Sequence, residues 1–230
     1  MIASDPALGV QRPKEATLFV ILTCFPSMDL DPSGMKLLAS KSDMVRAWPG
    51  GFGYAKVGAN YGPSLVAQGE ARQLGFDQIL WLFGEKGEVT EAGASNFFVV
   101  WKTREGRLQL VTAPLVDKII LDGVTRRSVL ELVRKRFATG DDAIEVVERK
   151  FTMSELEEAE KEGRLVEAFA AGTAFFIAPI SLIHYHGRDL RVPMERGKGG
   201  KYTHTIKTWL KDIMWGNVQD DWGYVVEEKK

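Results

Sequence analysis

The sequence of 230 residues has little cysteine, almost no net charge and no long apolar run. Its single cysteine, Cys24, excludes an intrachain disulfide and is compatible with a reducing compartment. The formal net charge of −1 leaves no basic field to hold a nucleic acid or an anionic membrane surface. No apolar segment approaches the roughly 20 residues of a membrane-spanning helix. We therefore expect no nucleic-acid or membrane partner.

Targeting and metal-binding signals are also scarce. The N-terminus lacks a basic segment followed by an apolar core, so the sequence predicts no signal peptide. We expect a cytoplasmic protein, and a mitochondrial origin stays open if the N-terminus is incomplete. The three histidines, His184, His186 and His204, do not show the spacing of metal ligands, so we assign no metal.

What the sequence does contain is a hydrophobic fraction of 45%, enough for one large core. Its pattern predicts a mixed α/β domain without internal repeats. Predicted strands are 17–24, 78–83, 96–101, 108–112, 143–148, 165–170 and 174–183. Predicted helices are 64–74, 125–137, 202–215 and one that begins at Ser154, with Glu157 completing a capping box, and ends at Gly163.

A glycine-rich segment runs from Trp48 to Pro63 and contains Lys56 and Tyr61. Glycine at this density lets the backbone turn sharply or approach a ligand closely. A lysine that forms an imine must be neutral part of the time, which burial favours. The alternatives are a surface lysine in a loop and a tyrosine that only packs.

Glu91 lies just before the apolar strand 96–101, where a buried carboxylate is costly unless it meets a cation. A protonated pyridine nitrogen is one such cation. The alternative is an exposed turn glutamate that caps a backbone amide.

Two further segments are suited to an anion. Gly123, Val124 and Thr125 lead directly into a predicted helix, whose free amides and positive end attract negative charge. Gly172, Thr173 and Ala174 offer a hydroxyl and consecutive amides between two strands. Each is also compatible with an ordinary helix cap or turn.

Four segments together resemble one known family: RAWPGGFGYAKVGANYGPSL, ILWLFGEKGEVTEAGASNFFVVW, ILDGVTRRSVLEL and AGTAFFIAPI. In order and spacing they are similar to the branched-chain amino acid aminotransferases of eukaryotic type. Those proteins are pyridoxal-phosphate enzymes of fold type IV. The resemblance runs from about Val45 to the C-terminus and implies pyridoxal 5′-phosphate as the cofactor.

The resemblance implies roles for residues around the cofactor ring. Lys56 would form the Schiff base and shuttle protons, and Tyr61 would bond the ring oxygen. Glu91 would pair with the pyridine nitrogen, and Leu121 would pack on the ring.

It implies a second set of roles at the phosphate and the substrate. Gly123, Val124, Thr125 and Thr173 would bind the phosphate. Thr173 and Ala174 would also meet the substrate carboxylate.

The resemblance also implies a domain division and a homodimer. Residues 1–44 would be an N-terminal tail with the remnant strand of a mostly missing small domain, and 45–230 the cofactor-binding large domain. In relatives the small domain supplies an arginine to the phosphate and aromatic residues to the substrate pocket. The sequence departs from the family pattern at Phe52, Tyr54, Ala94 and Ser95.

Two functions follow as expectations. The first is a pyridoxal-phosphate-dependent aminotransferase that moves an amino group between a branched-chain amino acid and 2-oxoglutarate. The alternative is a truncated homologue with other chemistry in the same pocket, such as isomerisation or cyclisation, or a non-catalytic binding protein.

Overall fold

A computed structural model describes residues 1–6, 9–24, 33–140, 142–174, 176–195, 199–224 and 226 of the chain. The strands are β1 Ile2–Ser4, β2 Glu15–Thr17, β3 Met35–Ala39, β4 Gln78–Phe83, β5 Glu88–Ala92, β6 Ser95–Lys102, β7 Leu108–Thr112, β8 Glu145–Glu148, β9 Leu165–Gly172, β10 Phe176–Tyr185 and β11 Arg188–Arg191. The helices are α1 Gly62–Gln73, α2 Val124–Arg136, α3 Met153–Lys161 and α4 Lys201–Met214. In this described part, no helix is long and apolar enough to cross a membrane.

The main sheet closes on itself. Its hydrogen-bonded order is β11-β10-β3-β4-β5-β6-β7-β8, and β9 pairs with both β10 and β6. Strands β3, β4, β5, β6, β9 and β10 therefore form a ring. Strand β3 runs parallel to β4 and β10, whereas β5, β6 and β9 pair antiparallel with their neighbours.

Strand β6 shows why the sequence forms this ring. Six consecutive residues of the strand are buried, because alternate side chains enter two different cores. Phe97 and Val99 join the core inside the ring, into which α3 also packs. Phe98 and Val100 join an outer core that α2 and α4 cover. The continuous apolar run is therefore the pattern of a strand buried on both faces.

The N-terminal region differs from the sequence prediction. The predicted strand 17–24 is wrong, because only β2 forms there and pairs with β1. Residues Leu18 to Leu22 carry exposed side chains and no regular structure. The β-branched composition suggested a buried strand, but composition supplies no pairing partner.

Three short strands of the main sheet were not predicted from the sequence: β3, β5 and β11. Strand β3 lies in the middle of the ring, hydrogen-bonded to β4 and β10. Strand β3 thus belongs to the main sheet although it lies before residue 45.

The cap of α3 was predicted two residues too late. Thr152, not Ser154, is the N-cap, and its hydroxyl accepts from the Glu155 amide at 3.3 Å. The Glu155 carboxylate accepts in turn from the Thr152 amide at 2.9 Å. Both pairs have the spacing of a capping box, and the local pattern alone does not choose between them.

Candidate active site

The glycine-rich loop before α1 lies tightly against the segment around Ile119. A Cβ added to Gly53 would lie 2.5 Å from the Ala47 Cβ and 2.9 Å from the Ile119 carbonyl oxygen. Only glycine fits there without a backbone shift. The Asn60 side chain fastens the loop from the other side, because it donates to the carbonyl oxygens of Phe52 at 2.7 Å and Ala55 at 2.9 Å.

This loop brings Lys56 next to Tyr61. The Lys56 Nζ lies 5.7 Å from the centroid of the Tyr61 ring. The Tyr61 hydroxyl is buried and has no hydrogen-bond partner among the described residues. The expected burial of Lys56 is wrong, because its side chain is exposed. The lysine is thus open to a ligand, and the phenol beside it lacks the partner that a buried hydroxyl normally has.

Glu91 is the buried carboxylate of the cluster, with 1% of its surface exposed on β5. Its Oε1 accepts hydrogen bonds from the Leu121 amide at 3.0 Å and the Asn96 Nδ2 at 3.2 Å. Asn96 also donates to the Leu121 carbonyl oxygen at 2.9 Å. These contacts bind the end of β5, the start of β6 and the segment before α2 into one unit.

Arg46 supplies the counter-charge. It is buried, and its Nη2 lies within ion-pair distance of the Glu91 Oε2. It also donates to the carbonyl oxygens of Gly53 at 3.3 Å and Ile119 at 3.5 Å. Among the described residues, the Arg46 guanidinium is the group that meets Oε2, and its charge and hydrogen bonding both lower the pKa of Glu91. A carboxylate oxygen has more than one lone pair, so Oε2 can still accept from another donor.

The surroundings of Glu91 oppose its ionisation. Burial raises the pKa of Glu91 from its ordinary value of 4.5 to about 7. Arg46, the Leu121 amide and Lys56 act in the opposite direction. The carboxyl group therefore changes charge near neutral pH, as is common for buried carboxyl groups at functional sites.

Two glycine turns border the start of β6. A Cβ on Gly123 would lie 2.4 Å from the Asn96 Oδ1, and one on Gly172 would lie 2.5 Å from the Ser95 Oγ. Gly123 is the N-cap residue of α2 and makes no side-chain cap, and the first turn contains no acidic residue. The first amides of α2 thus lack a side-chain acceptor, which suits an anion.

The exposed residues at these turns are Val124, Thr173 and Ala174. Thr125 is partly buried in the first turn of α2. Their side chains make no contact that fixes a role, so their part in phosphate or substrate binding remains a prediction.

The structure brings four of the predicted residues together: Lys56, Tyr61, Glu91 and Leu121. Leu121 contacts Glu91, the charge of Lys56 acts on Glu91, and Tyr61 lies beside Lys56. Sequence reasoning missed Arg46 and Asn96. Arginine at the entrance to a glycine-rich segment and asparagine at the start of an apolar strand were the available signals, since both become costly when buried without partners.

Comparison with known proteins gives the family. The family model for amino-transferase class IV matches residues 3–183. The chain is 43% identical over 218 residues to the mitochondrial branched-chain-amino-acid aminotransferase of Schizosaccharomyces pombe, covering 94% of this chain and 50% of that protein. It is 42% identical to the cytosolic enzyme of Mus musculus, covering 96% and 56%.

Solved structures agree. The branched-chain amino acid aminotransferase of Thermobaculum terrenum in its PLP form is similar with a TM-score of 0.62 and 26% identity, over 83% of this chain and 55% of that one. The predicted fold, the mixed α and β cofactor domain of fold type IV, is confirmed.

The chain therefore belongs to the class IV aminotransferase family. Within it, the relatives it matches are branched-chain-amino-acid aminotransferases, and it spans about half the length of those curated relatives. Their names include both mitochondrial and cytosolic forms, so they do not fix a compartment.

Proposed function

We propose that this chain is the cofactor-binding part of an aminotransferase that moves an amino group between a branched-chain amino acid and 2-oxoglutarate with pyridoxal 5′-phosphate. One observation carries the proposal: an exposed lysine, a partnerless buried phenol and a buried carboxylate with a free lone pair converge beside a helix N-terminus. The family membership supports it.

The chemistry of these groups fits the cofactor. The Tyr61 hydroxyl needs a hydrogen-bond partner, and the ring oxygen of pyridoxal phosphate is one. The Glu91 Oε2 needs a donor, and a protonated ring nitrogen is one. The first amides of α2 after Gly123 need an acceptor, and a phosphate is one. When bound, the cofactor supplies the electron sink that makes an α-hydrogen acidic.

The residues of the chain would divide the remaining work. The Lys56 Nζ, exposed on its loop, reaches the bound groups and moves a proton between them. Tyr61 would donate to the oxygen on the cofactor ring, and Glu91 would accept from the ring nitrogen. Leu121, whose amide is fixed by Glu91, packs against the ring.

The two glycine turns would bind the phosphate of the cofactor and the carboxylate of the substrate. Gly123, Val124 and Thr125 would bind the phosphate with Thr173 from the second turn. Thr173 and Ala174 would receive the substrate carboxylate, which their exposure permits.

We also propose the assembly. Residues 1–44 would belong to a tail and small-domain remnant, and residues 45–230 to the cofactor domain, in a homodimer. Exposed apolar side chains near the site support an association surface; they include Trp48, Phe52, Leu65, Val66 and Val124.

Reduction with borohydride tests the lysine. Purified protein is incubated with pyridoxal phosphate, reduced and mapped by peptide mass spectrometry, and the adduct is expected on Lys56. Lys118→Arg is a matched control, since the Lys118 Nζ also lies 5.7 Å from a tyrosine ring, that of Tyr54. Lys56→Arg should lose both the adduct and the visible absorbance, and Lys118→Arg should keep them. An adduct on another lysine, or none, overturns the assignment.

Activity tests the reaction. We expect 2-oxo acid formation from leucine, isoleucine or valine by the 230-residue chain alone to fall below about 1 per second, the low end of the ordinary enzyme range. Lys56, Thr173 and Ala174 are exposed, so water is not excluded from them. Turnover within the ordinary range would show that the short chain, or a partner protomer, completes the pocket. An adduct without any transamination favours other chemistry in the same pocket.

A further inference from the structure

Arg46 makes a set of contacts that a simple structural ion pair does not need. Its Nη2 lies in close ion-pair contact with the Glu91 carboxylate and donates to the Gly53 carbonyl oxygen, and its Nη1 donates to the Ile119 carbonyl oxygen. Gly53 lies three residues before Lys56, and Ile119 lies two before Leu121. One buried side chain thus links the lysine-bearing loop, the carboxylate and the segment that packs beside it.

The two oxygens of Glu91 are held in different ways. Oε1 accepts two hydrogen bonds from fixed donors, whereas Oε2 meets only the Arg46 guanidinium among the described residues. A carboxylate oxygen can accept from more than one donor, so Oε2 has room for a second one. Arg46 therefore supplies charge to Oε2 and leaves room for a further donor.

We propose that Arg46 is a positioning residue with two effects: in the cofactor-free chain it favours the ionised form of Glu91, and it anchors the lysine-bearing loop to that carboxylate. The inference rests on the proposed function, since it explains how the acceptor for a ring nitrogen is prepared in advance. The charged groups that act on Glu91 are Arg46 and Lys56. Lys56 is exposed and partly screened by water, so Arg46 is the stronger of the two.

Substitutions separate the two effects. Arg46→Gln removes the charge and most of the fork of donors, whereas Arg46→Lys keeps the charge and loses the reach to both carbonyl oxygens. Arg126→Gln is the matched control, because Arg126 is also fully buried but pairs with Glu148 and the Ala113 carbonyl oxygen. This variant also loses a buried arginine, but one that makes no contact with Glu91.

The experiment uses the cofactor-free chain. Infrared difference spectra against Glu91→Gln follow the protonated carboxyl of Glu91 through neutral pH, and amide hydrogen exchange follows residues 47–57. In Arg46→Gln the titration midpoint should rise by at least about one pH unit, and loop exchange should accelerate at least about tenfold. Arg46→Lys should keep the midpoint near the wild-type value and still accelerate exchange. Arg126→Gln should change neither.

Two results overturn the proposal: an unchanged midpoint in Arg46→Gln, or unchanged loop exchange in both Arg46 variants. If Arg46→Gln does not fold, loop exchange in Arg46→Lys still tests the anchoring. The titration midpoint of Arg46→Lys then tests the charge effect, because a rise of about one pH unit or more in a variant that keeps the charge would overturn it. Because no cofactor is present, a failed adduct on Lys56 refutes the proposed function without affecting these measurements.

Discussion

Two buried glutamates of this chain, Glu91 and Glu167, have almost equal exposure and opposite surroundings. Glu167 on β9 is 3% exposed, and both its oxygens accept hydrogen bonds at the N-terminus of α4. They come from the Tyr202 amide at 2.8 Å, the Thr203 amide at 2.9 Å and the Thr203 hydroxyl at 2.7 Å. Glu91 has one satisfied oxygen and one that faces only Arg46.

The difference separates a structural carboxylate from one prepared for a ligand. Glu167 replaces the missing side-chain cap of α4, whose own N-cap is Gly200. A Cβ at Gly200 would lie 2.2 Å from the Glu167 Cδ, so a larger residue at position 200 would clash with the carboxylate in this position. Burial alone therefore says little about function. The informative observation is a buried oxygen that still has room for another donor.

The largest expected effect is the loss of Glu167. Glu167→Ala leaves three buried donors without an acceptor, each costing about 1–3 kcal/mol, so we expect the free energy of unfolding to fall by roughly 3–9 kcal/mol. Urea unfolding followed by circular dichroism measures it. Glu167→Gln keeps one acceptor oxygen and should lose clearly less. Equal stability of all three proteins would contradict the capping role.

Glu91 should show the next largest effect, as a dependence of stability on pH. Its folded pKa of about 7 lies above the ordinary 4.5, so the folded state binds more protons between these values. Its contribution to stability is therefore present at low pH and is lost as the pH rises through about 7, by about 3 kcal/mol. The free energy of unfolding of the wild type and of Glu91→Gln, measured across this pH range, isolates the contribution of Glu91.

The exposed Glu85, in the turn between β4 and β5, gives the matched control for that measurement. Glu85→Gln should shift stability little and should keep the wild-type pH profile. A Glu91→Gln profile parallel to that of the wild type would mean that Glu91 titrates normally in the folded chain.

A smaller effect is expected on the half-reaction. Glu91→Gln keeps the shape of the side chain but cannot stabilise a protonated ring nitrogen, a charge-assisted bond worth roughly 1.5–3 kcal/mol. We expect the single-turnover rate with leucine to fall at least about tenfold, with cofactor affinity less affected. Stopped-flow absorbance measures the rate. Equal rates in the wild type and Glu91→Gln would show that Glu91 does not contact the ring nitrogen.

The smallest effect is expected at the cap of α3, whose capping residue Thr152 is adjacent in sequence. Its loss gives a reference value for the loss of Glu167, which caps α4 from a distant strand. Thr152→Ala removes the hydroxyl that accepts from the Glu155 amide at the start of α3. Such changes cost about 1 kcal/mol. Thermal unfolding checks this value, and a loss as large as that of Glu167→Ala would mean that the two caps do not differ as the structure indicates.

The comparison also indicates what sequence could predict. The long elements were predictable because their periodicity is strong; β4 and β7 match the predicted ranges, and α2 and α4 match within one residue. Short strands such as β3 are defined by pairing with residues far along the chain. The exposed segment after β2 has the composition of a strand but no partner.

The same limit applies to the candidate site. Lys56, Tyr61 and Glu91 could be selected because each lies in a distinctive local segment. Arg46 could not, since its significance comes from Glu91, 45 residues later, and from the Ile119 carbonyl oxygen. The exposure of Lys56 was equally invisible, because glycine-rich composition does not fix which way a loop presents its side chains.

Because the ring is closed, few strand edges are free to pair with another chain. Among the described strands of the main sheet, β8 and β11 pair on one side only. The first is Glu145–Glu148 and the second Arg188–Arg191, so charged residues stand at both ends of each strand. Like charges disfavour pairing of each edge with the same edge of another copy, β8 with β8 or β11 with β11. The chain can thus expose apolar side chains around Lys56 while each free sheet edge resists pairing with itself.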